Sequence, residues 1–504
     1  MTQSFVLGID QGSSGSRALV LDADGQIVGY GYQPVARLYP QPGWVEQSPA
    51  AIAESVRGAV AAAVAQAGCP ASAIAGCGIT SQRDTVFAWD ADTGAPIGDA
   101  ITWQDLRTTA LVAETNRSPL AAERRERLGQ FPGAYCSAMH MAWRMRHDQA
   151  FRAAAADGRL RCTLAAGWVV HALGRLSENA LDYSLMQGMT VFDYRRKRLW
   201  DEWIDMLNLP RAALPRPVPT LHPFGEIMVE DARGGRAAVP VLAMISDQQA
   251  ALFGYDCRAA GQAACTHGTA SFVNVAAGSE LPKPGSTKIY LAWELDGVPG
   301  YSLEADTTVT GAVIRWMQEQ MGWLHRPADL GALAQSVPDP AGVVFVPAFT
   351  GLGVPYEDRT ARGTLLGMTL DTTPAHIARA FLDSIGYQVR DILDAIASDT
   401  GLVIDRLHVG GGISASDAAC QAQADVLGIP VARAPNTETS ARAAALLGGL
   451  GAGVWASAAD LPPLPGQPTV FEPQRGDDAR AAGLAAWRRA LDRARGWVPE
   501  PAAD

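Results

Sequence analysis

The sequence predicts an α/β protein of two lobes. Three observations carry that reading. A strand-like run ends in a small-residue polar turn at three separate places, the strand-and-hairpin grammar of the opening is echoed in the second half, and amphipathic helices lie between the strands. At 504 residues the chain is also too long for one ordinary core, which suggests two to four structural units.

The first element is Phe5 to Ile9, a short apolar strand that ends on the polar turn Asp10-Gln-Gly-Ser-Ser-Gly-Ser16. Arg17 to Leu21 follows as a second strand, Asp22 to Gly25 supplies turn chemistry, and Ile27 to Tyr32 makes a third, so a meander opens the chain. Ser48 and Pro49 then offer a cap and a first-turn proline. Ile52, Val56, Val60 and Val64 recur every four residues, predicting a helix that returns across the sheet. Ile74 to Thr80 is strand-like. Gly261 to Val275 reads as two strands around the polar hairpin Thr266-His-Gly-Thr269, and Leu407 to Val409 runs into Gly410-Gly-Gly-Ile-Ser-Ala-Ser416 and a helix through Gln421 and Leu427. Thr373-Pro374 opens a strong helix whose apolar positions Ile377, Phe381, Ile385, Val389, Leu393 and Ile396 are expected to face one core. The lobes are expected to meet between Asp247 and Gly261, giving domains 1–253 and 254–504. The segment from Pro462 to Pro473 is proline-rich, Asp477 to Trp497 resumes a charged helix, and the last few residues are expected to fray.

Composition narrows the function. Hydrophobic residues are 48% of the chain and charged residues 18%, which fits a folded globular protein. Asp and Glu (52) outnumber Lys and Arg (41), and no basic tract is dense enough to follow a phosphate backbone, so nucleic acid is not an expected partner. No basic leader precedes Asp10 and no window supplies the roughly 20 apolar residues of a membrane span, so neither export nor a membrane partner is expected. The seven cysteines are scattered without a metal-binding spacing and read as reduced thiols of a cytoplasmic protein.

A turn of Gly, Ser and Thr arrays backbone N–H groups and hydroxyls around a concavity that suits phosphate oxygens. Asp10 would repel a phosphate unless a divalent cation lay between them, which points to Mg²⁺. The familiar alternatives are missing: there is no G-x-x-x-x-G-K-[ST], no convincing strand-associated G-x-G-x-x-G, and no H-R-D with D-F-G. Gly449 to Gly453 comes close but follows an Ala-rich helix instead of a strand. Asp247, just before Gln-Gln-Ala-Ala-Leu-Phe, reads from its neighbours as a helix N-cap.

The motifs Asp10-Gln-Gly-Ser-Ser-Gly-Ser-Arg17, Pro42-Gly-Trp-Val-Glu46, Gly78-Ile-Thr-Ser-Gln-Arg-Asp84, Ile101-Thr-Trp-Gln-Asp105, Ser246-Asp-Gln-Gln-Ala-Ala-Leu-Phe253, Val346-Pro-Ala-Phe-Thr-Gly-Leu-Gly353 and Gly363-Thr-Leu-Leu-Gly367 together resemble the FGGY family of carbohydrate kinases along nearly the whole chain, and within it the branch that phosphorylates glycerol. The resemblance implies two actin-like ATPase (ribonuclease H-like) domains, ATP with Mg²⁺ in the cleft, and transfer of the γ-phosphoryl group to a polyol or sugar hydroxyl. It makes Asp247 the catalytic base and Asp10 the metal ligand. Arg83, Asp84, Trp103, Tyr135, Gln248 and Phe272 become acceptor contacts beside Asp247. Ser13, Ser14, Arg17, Thr266 and Thr269 fall to the phosphates, and Gly311, Arg315, Gly411, Gly412 and Ser416 to the adenosine. The substrate and the first phosphate loop belong to residues 1–253, the nucleotide to 254–504, and a homo-oligomer, dimer or tetramer, is implied.

Departures from the family pattern matter as much. Asp84 stands where the glycerol branch usually carries Glu, and one methylene fewer retracts the carboxylate by about 1.5 Å. A roomier pocket, open to erythritol or a ketopentose such as xylulose or ribulose, is therefore the alternative to glycerol. Arg315 replaces a usual Gln and Ser416 a usual Asn near the expected adenine, His267 replaces a Tyr, and His140 a Lys. Arg233-Gly-Gly-Arg236 resembles a loop that binds a sugar bisphosphate regulator in some relatives. The rival from another class is an actin-like ATP-binding assembly or regulatory protein. Such a protein would have no reason to gather Arg83, Asp84, Trp103 and Asp247.

Overall fold

The computed structural model describes residues 4–436 and 438–499. The expected frayed end falls partly on residues 500–504, outside the described residues. The opening meander forms, β1 (Phe5–Gly12), β2 (Gly15–Leu21) and β3 (Ile27–Pro34) running antiparallel in turn, but the first two strands pair further than the sequence reading placed them, taking in Asp10–Gly12 and leaving Ser13 and Ser14 as the turn. Helix α1 (Pro49–Ala67) returns over them, with Ser48 Oγ accepting from the Ala51 N–H at 3.4 Å and Gly68 closing the end in the left-handed conformation. Its Ile52, Val56, Val60 and Val64 are buried, which is why the four-residue spacing was informative. Strand β4 (Ile74–Ser81) adds parallel to β1. A long excursion of short helices and strands precedes β5 (Gly174–Leu176), β6 (Leu221–Glu230) and β7 (Arg236–Ser246), which complete a sheet of order β3-β2-β1-β4-β7-β6-β5.

The second half repeats the plan. After α2 (Asp247–Gly254) come β8 (Ala263–His267), β9 (Ser271–Gly278), β10 (Lys288–Leu295) and β11 (Val298–Asp306). Helices α3 (Gly311–Glu319) and α4 (Pro374–Thr400) follow, then β12 (Leu407–Gly410), α5 (Asp417–Leu427) and β13 (Val431–Arg433). The chain ends with α6 (Thr439–Gly451), β14 (Thr469–Phe471) and α7 (Asp477–Ala494). The second sheet has the order β10-β11-β9-β8-β12-β13-β14. In both sheets the first strand pairs antiparallel with the second and parallel with the strand that follows the meander, β4 in the first and β12 in the second, where the meander has one strand more. The proline-rich segment after residue 462 contributes β14 as an edge strand, paired to β13.

Two packing arrangements differ from the sequence reading. Helix α4 serves two cores: Ile377, Phe381 and Ile385 join one cluster, and Val389, Leu393 and Ile396 another. A helix of 27 residues is about 40 Å long, more than one core is wide. Helix α6 comes from the second half of the chain but lies on the first sheet. A Cβ at Gly78 of β4 would sit 1.9 Å from the Ala444 carbonyl oxygen, and one at Gly8 of β1 2.1 Å from that of Ala441. Residues Ala443, Leu446 and Leu447 share a core with Val6, Ile245 and Leu252. Helix α6 thereby fixes the ends of β1 and β7 together with the start of α2. Seven free cysteines are buried in these cores. Among the described residues no helix is long and apolar enough to cross a membrane.

Gly78→Ala forces a methyl group onto helix backbone, which is expected to cost about 1–3 kcal/mol of unfolding free energy. Chemical denaturation checks this, and an unchanged midpoint would contradict it.

Candidate functional site

Both candidate carboxylates lie at or near strand ends. Strand β7 stops at Ser246, which is the N-cap of α2, so Asp247 is the first helical residue and not the cap itself, correcting the reading from its neighbours. Its Oδ1 accepts from the Gln248 N–H at 2.8 Å, and its carbonyl oxygen accepts from Ser440 Oγ on α6 at 3.2 Å. The carboxylate is 29% exposed, and Arg83 Nε lies 3.5 Å from it. Arg83 is 9% exposed, donates from Nη2 to Glu304 Oε1 across the lobes at 2.8 Å, and stacks over the Tyr290 ring at 4.5 Å. Burial raises the pKa of Asp247 above the usual carboxylate range, Arg83 pulls it back, and the Glu304 charge pushes it up again.

Asp84 follows Arg83 with φ 58°, an uncommon conformation for a residue other than glycine. Burial pushes its pKa to about 8 against the pull of Arg83 and Lys288. Three buried polar atoms here have no hydrogen-bond partner: Arg83 Nη1, Asp84 Oδ1 and Asn274 Oδ1. Such atoms are costly unless something binds them, which marks the cleft as a site for a hydroxyl-rich molecule. Gln248 reaches the same wall, accepting from Asn274 Nδ2 at 3.5 Å. Tyr135 donates its hydroxyl proton to the Phe131 carbonyl, and its ring faces Lys288 Nζ at 5.6 Å. Phe272 pairs across the sheet with Thr266 and Asp306. Trp103 lies in the turn after Ile101 with 37% exposure and makes no hydrogen bond to the others.

Asp10 pairs in register with Arg17 across the opening hairpin, their charged atoms 3.8 Å apart. Burial raises its pKa to about 7, with Arg17 opposing and the nearby charges of Asp247 and Glu438 adding to the rise. Arg17 is shared, since its Nε lies 3.1 Å from Glu438. Negative charge therefore exceeds positive at the end of β1, a setting that fits a hard divalent cation. Mg²⁺ needs only one or two carboxylates when phosphate oxygens supply other ligands. Ser13 and Ser14 form the hairpin tip, where Gln47 Nε2 holds the Ser13 carbonyl at 3.0 Å and the Val35 N–H holds that of Ser14 at 3.1 Å.

On the opposite lobe three backbone segments converge. The Gly311 N–H donates to the Gly268 carbonyl at 3.1 Å and the Thr310 N–H to that of Thr269 at 2.8 Å, tying the hairpin after Thr266 to the start of α3. Gly411 has φ 84°, and a Cβ there would lie 2.3 Å from the His267 carbonyl oxygen. Gly412 faces open space. Ser416 is the N-cap of α5, its Oγ accepting from the Ala419 N–H. Arg315 is exposed on α3 and makes no hydrogen bond or ion pair among the described residues. His267 is fully buried, with Nδ1 2.7 Å from Ser271 Oγ and Nε2 3.0 Å from Gln423 Oε1, and the hydroxyls of Ser271, Thr310 and Thr307 continue the chain. Burial lowers its pKa to about 4. His140 is likewise buried and held at about 4. Arg233 to Arg236 form an exposed turn between β6 and β7, folded around Asp231.

Sequence reasoning missed Lys288, Tyr290, Glu304 and Asp306. The available signal was alternation: Ser302, Glu304 and Asp306 are polar at every second position of β11, and Lys288 and Tyr290 lead β10.

Comparison with known proteins identifies the family and the fold. The model of the N-terminal domain of the FGGY family of carbohydrate kinases matches residues 5–254, and that of the C-terminal domain residues 263–452. A glycerol kinase of Symbiobacterium thermophilum is 39% identical over 99% of this chain and 100% of its own length. One of Aromatoleum aromaticum is 41% identical over 98% and 99%. A crystal structure of Plasmodium falciparum glycerol kinase with ADP superimposes with a TM-score of 0.89 at 24% identity, covering 98% of each chain. A xylulose kinase from Rhodospirillum rubrum gives 0.83 at 23% identity, covering 97% of this chain and 98% of that one. These two matches establish the two-lobed actin-like fold.

A buried neutral histidine carries a pH signature. The pKa of His267 is about 4 when folded and 6.5 ordinarily, so the unfolded chain takes the proton first as pH falls. Its stabilising contribution is present above pH 6.5 and is lost toward pH 4. The stability advantage of the protein over its His267→Asn variant should shrink between pH 7 and pH 5 in urea titrations; an advantage that grows would contradict the buried neutral ring.

Proposed function

The chain belongs to the FGGY family of carbohydrate kinases, and from that premise we propose that Asp247 is the base of an ATP-dependent transfer to a terminal hydroxyl of a small polyol or sugar, with glycerol the first candidate. The protein is a kinase acting on an alcohol group. The observation that carries the assignment of the base is the Asp247 carboxylate, raised in pKa by burial, held by Arg83 and electrostatically coupled to Asp10.

Each residue has a part in that reading. Asp247 accepts the acceptor's proton as the oxygen bonds to phosphorus, so no alkoxide has to form in water. Arg83 keeps Asp247 ionised and, with Asp84, Tyr135, Trp103, Gln248 and Phe272, orients the hydroxyls. Mg²⁺ held by Asp10 and phosphate oxygens would offset the charge on the terminal phosphoryl group. Ser13, Ser14, Arg17, Thr266 and Thr269 surround the phosphates, while Gly311, Arg315, Gly411, Gly412 and Ser416 frame the adenosine. Residues 1–253 supply most of the substrate side and the first phosphate loop and 254–504 the nucleotide side and Phe272, and closure of the two lobes excludes water from the transfer.

Replacing the base tests this directly. Asp247→Asn should lower kcat on the order of 10² to 10⁴ with ATP binding intact, measured by acceptor-dependent ADP release; near-normal turnover would remove Asp247 from the chemistry. The pH profile gives a second check. Asp247 must be ionised, so kcat/KM should fall on the acid side with a midpoint above the ordinary 3.8. Glu304 raises that pKa, so Glu304→Gln should move the acid limb to lower pH, and a shift to higher pH would contradict the arrangement.

A further inference from the structure

The charged row that begins at Asp247 does not stop at Glu304. Lys288 Nζ lies 4.0 Å from Glu304 Oε1 and 3.4 Å from Asp306 Oδ1, so the order of contacts is Asp247, Arg83, Glu304, Lys288, Asp306. Lys288 pairs across the sheet with Glu304, and Asp306 stands two residues further along the same strand. Cross-strand partners and alternate residues share a face, so Phe272, Lys288, Glu304 and Asp306 stand on the face that meets Arg83. Lys288 and Asp306 are partly exposed, at 23% and 30%, and a solvent-screened pair of this kind contributes little to stability.

Their free valences point to a ligand. A triol offers three hydroxyls, which Asp247, the unpartnered Arg83 Nη1 and the unpartnered Asp84 Oδ1 can match. Lys288 has three N–H donors and two carboxylate neighbours, and Asp306 approaches Lys288 through one of its two oxygens. One donor and one acceptor remain. We propose that Lys288 and Asp306 are specificity-determining residues that hold the hydroxyls beyond the third carbon of a linear four- or five-carbon polyol or ketose. The proposal rests on the kinase reading above and moves its first candidate from glycerol to a longer acceptor. Two carboxylates flank the single ammonium group, so this end of the pocket suits neutral hydroxyls and not the carboxylate of a sugar acid. A shorter acceptor leaves the spare donor of Lys288 and the second oxygen of Asp306 without a partner once lobe closure has excluded water, which is how a polar pocket rejects an analogue lacking a hydroxyl.

The test is kcat/KM by coupled ADP release for glycerol, erythritol, ribitol, xylulose, ribulose and gluconate, using the full chain and the variants Lys288→Met and Asp306→Ala. The full chain is expected to favour a four- or five-carbon acceptor over glycerol by at least about 10-fold. Each variant should lose about 10- to 100-fold on that acceptor, through KM more than kcat, with a much smaller change on glycerol. Equal losses on glycerol and the longer acceptor would overturn the proposal, since a purely structural pair would act that way. Preference for glycerol, or for gluconate, would overturn it while leaving the kinase reading intact. Absence of acceptor-dependent ADP with all six compounds would overturn both.

Discussion

Arg83 holds the site together. Its guanidinium lies between Asp247 on the first lobe and Glu304 on the second, almost out of water, with the Tyr290 ring against its face. A guanidinium is suited to this because it stays charged when buried and offers several donors in a fixed plane. Burial raises the pKa values of Asp84 and Asp10, and neighbouring carboxylates add to the rise against the pull of Arg83 and Lys288 on the one and of Arg17 on the other. Removing Arg83 would strand buried carboxylates from both lobes, which is more costly than losing one surface ion pair.

The scaffold delivers these groups through backbone packing. Asp10 sits near the end of β1, Arg83 just past β4 and Asp247 just past β7, three adjacent strands that run parallel. Helix α6 sets their spacing by lying against Gly8 and Gly78. The second lobe answers with the face of β9, β10 and β11 and with the backbone turns at Gly268 and Gly411. The first lobe thus presents Asp10, Arg83 and Asp247, and the second presents both the charged face that carries Lys288, Glu304 and Asp306 and the turns at Gly268 and Gly411.

Much of this was legible in the sequence, and the limits have physical causes. Apolar runs bounded by turn residues revealed the opening meander, whose first two strands are buried on both faces, and four-residue spacing revealed α1 and α4. The polar turns at residues 10–16, 266–269 and 410–416 stood out because Gly and Ser cluster at strand ends. Lys288, Glu304 and Asp306 were missed because their meaning comes from register: Lys288 becomes a partner of Glu304 only once β10 and β11 are paired. The crossing of α6 to the first sheet was invisible because an Ala-rich helix carries little directional pattern. The excursion between β4 and β5 is built of short elements, and the position of Trp103 and Tyr135 depends on packing between them. Asp247 was misplaced by one residue relative to the helix cap because Ser246 and Asp247 are both good capping residues.

The account stands on an ionised Asp247 meeting the acceptor hydroxyl. A crystal structure of the full chain with a non-hydrolysable ATP analogue, Mg²⁺ and the acceptor that gives the highest kcat/KM measures this directly. The account places an Asp247 carboxylate oxygen within hydrogen-bond distance of the hydroxyl that faces the terminal phosphorus. An acceptor bound away from that oxygen, or an Asp247 carboxylate turned out of the cleft, would contradict it.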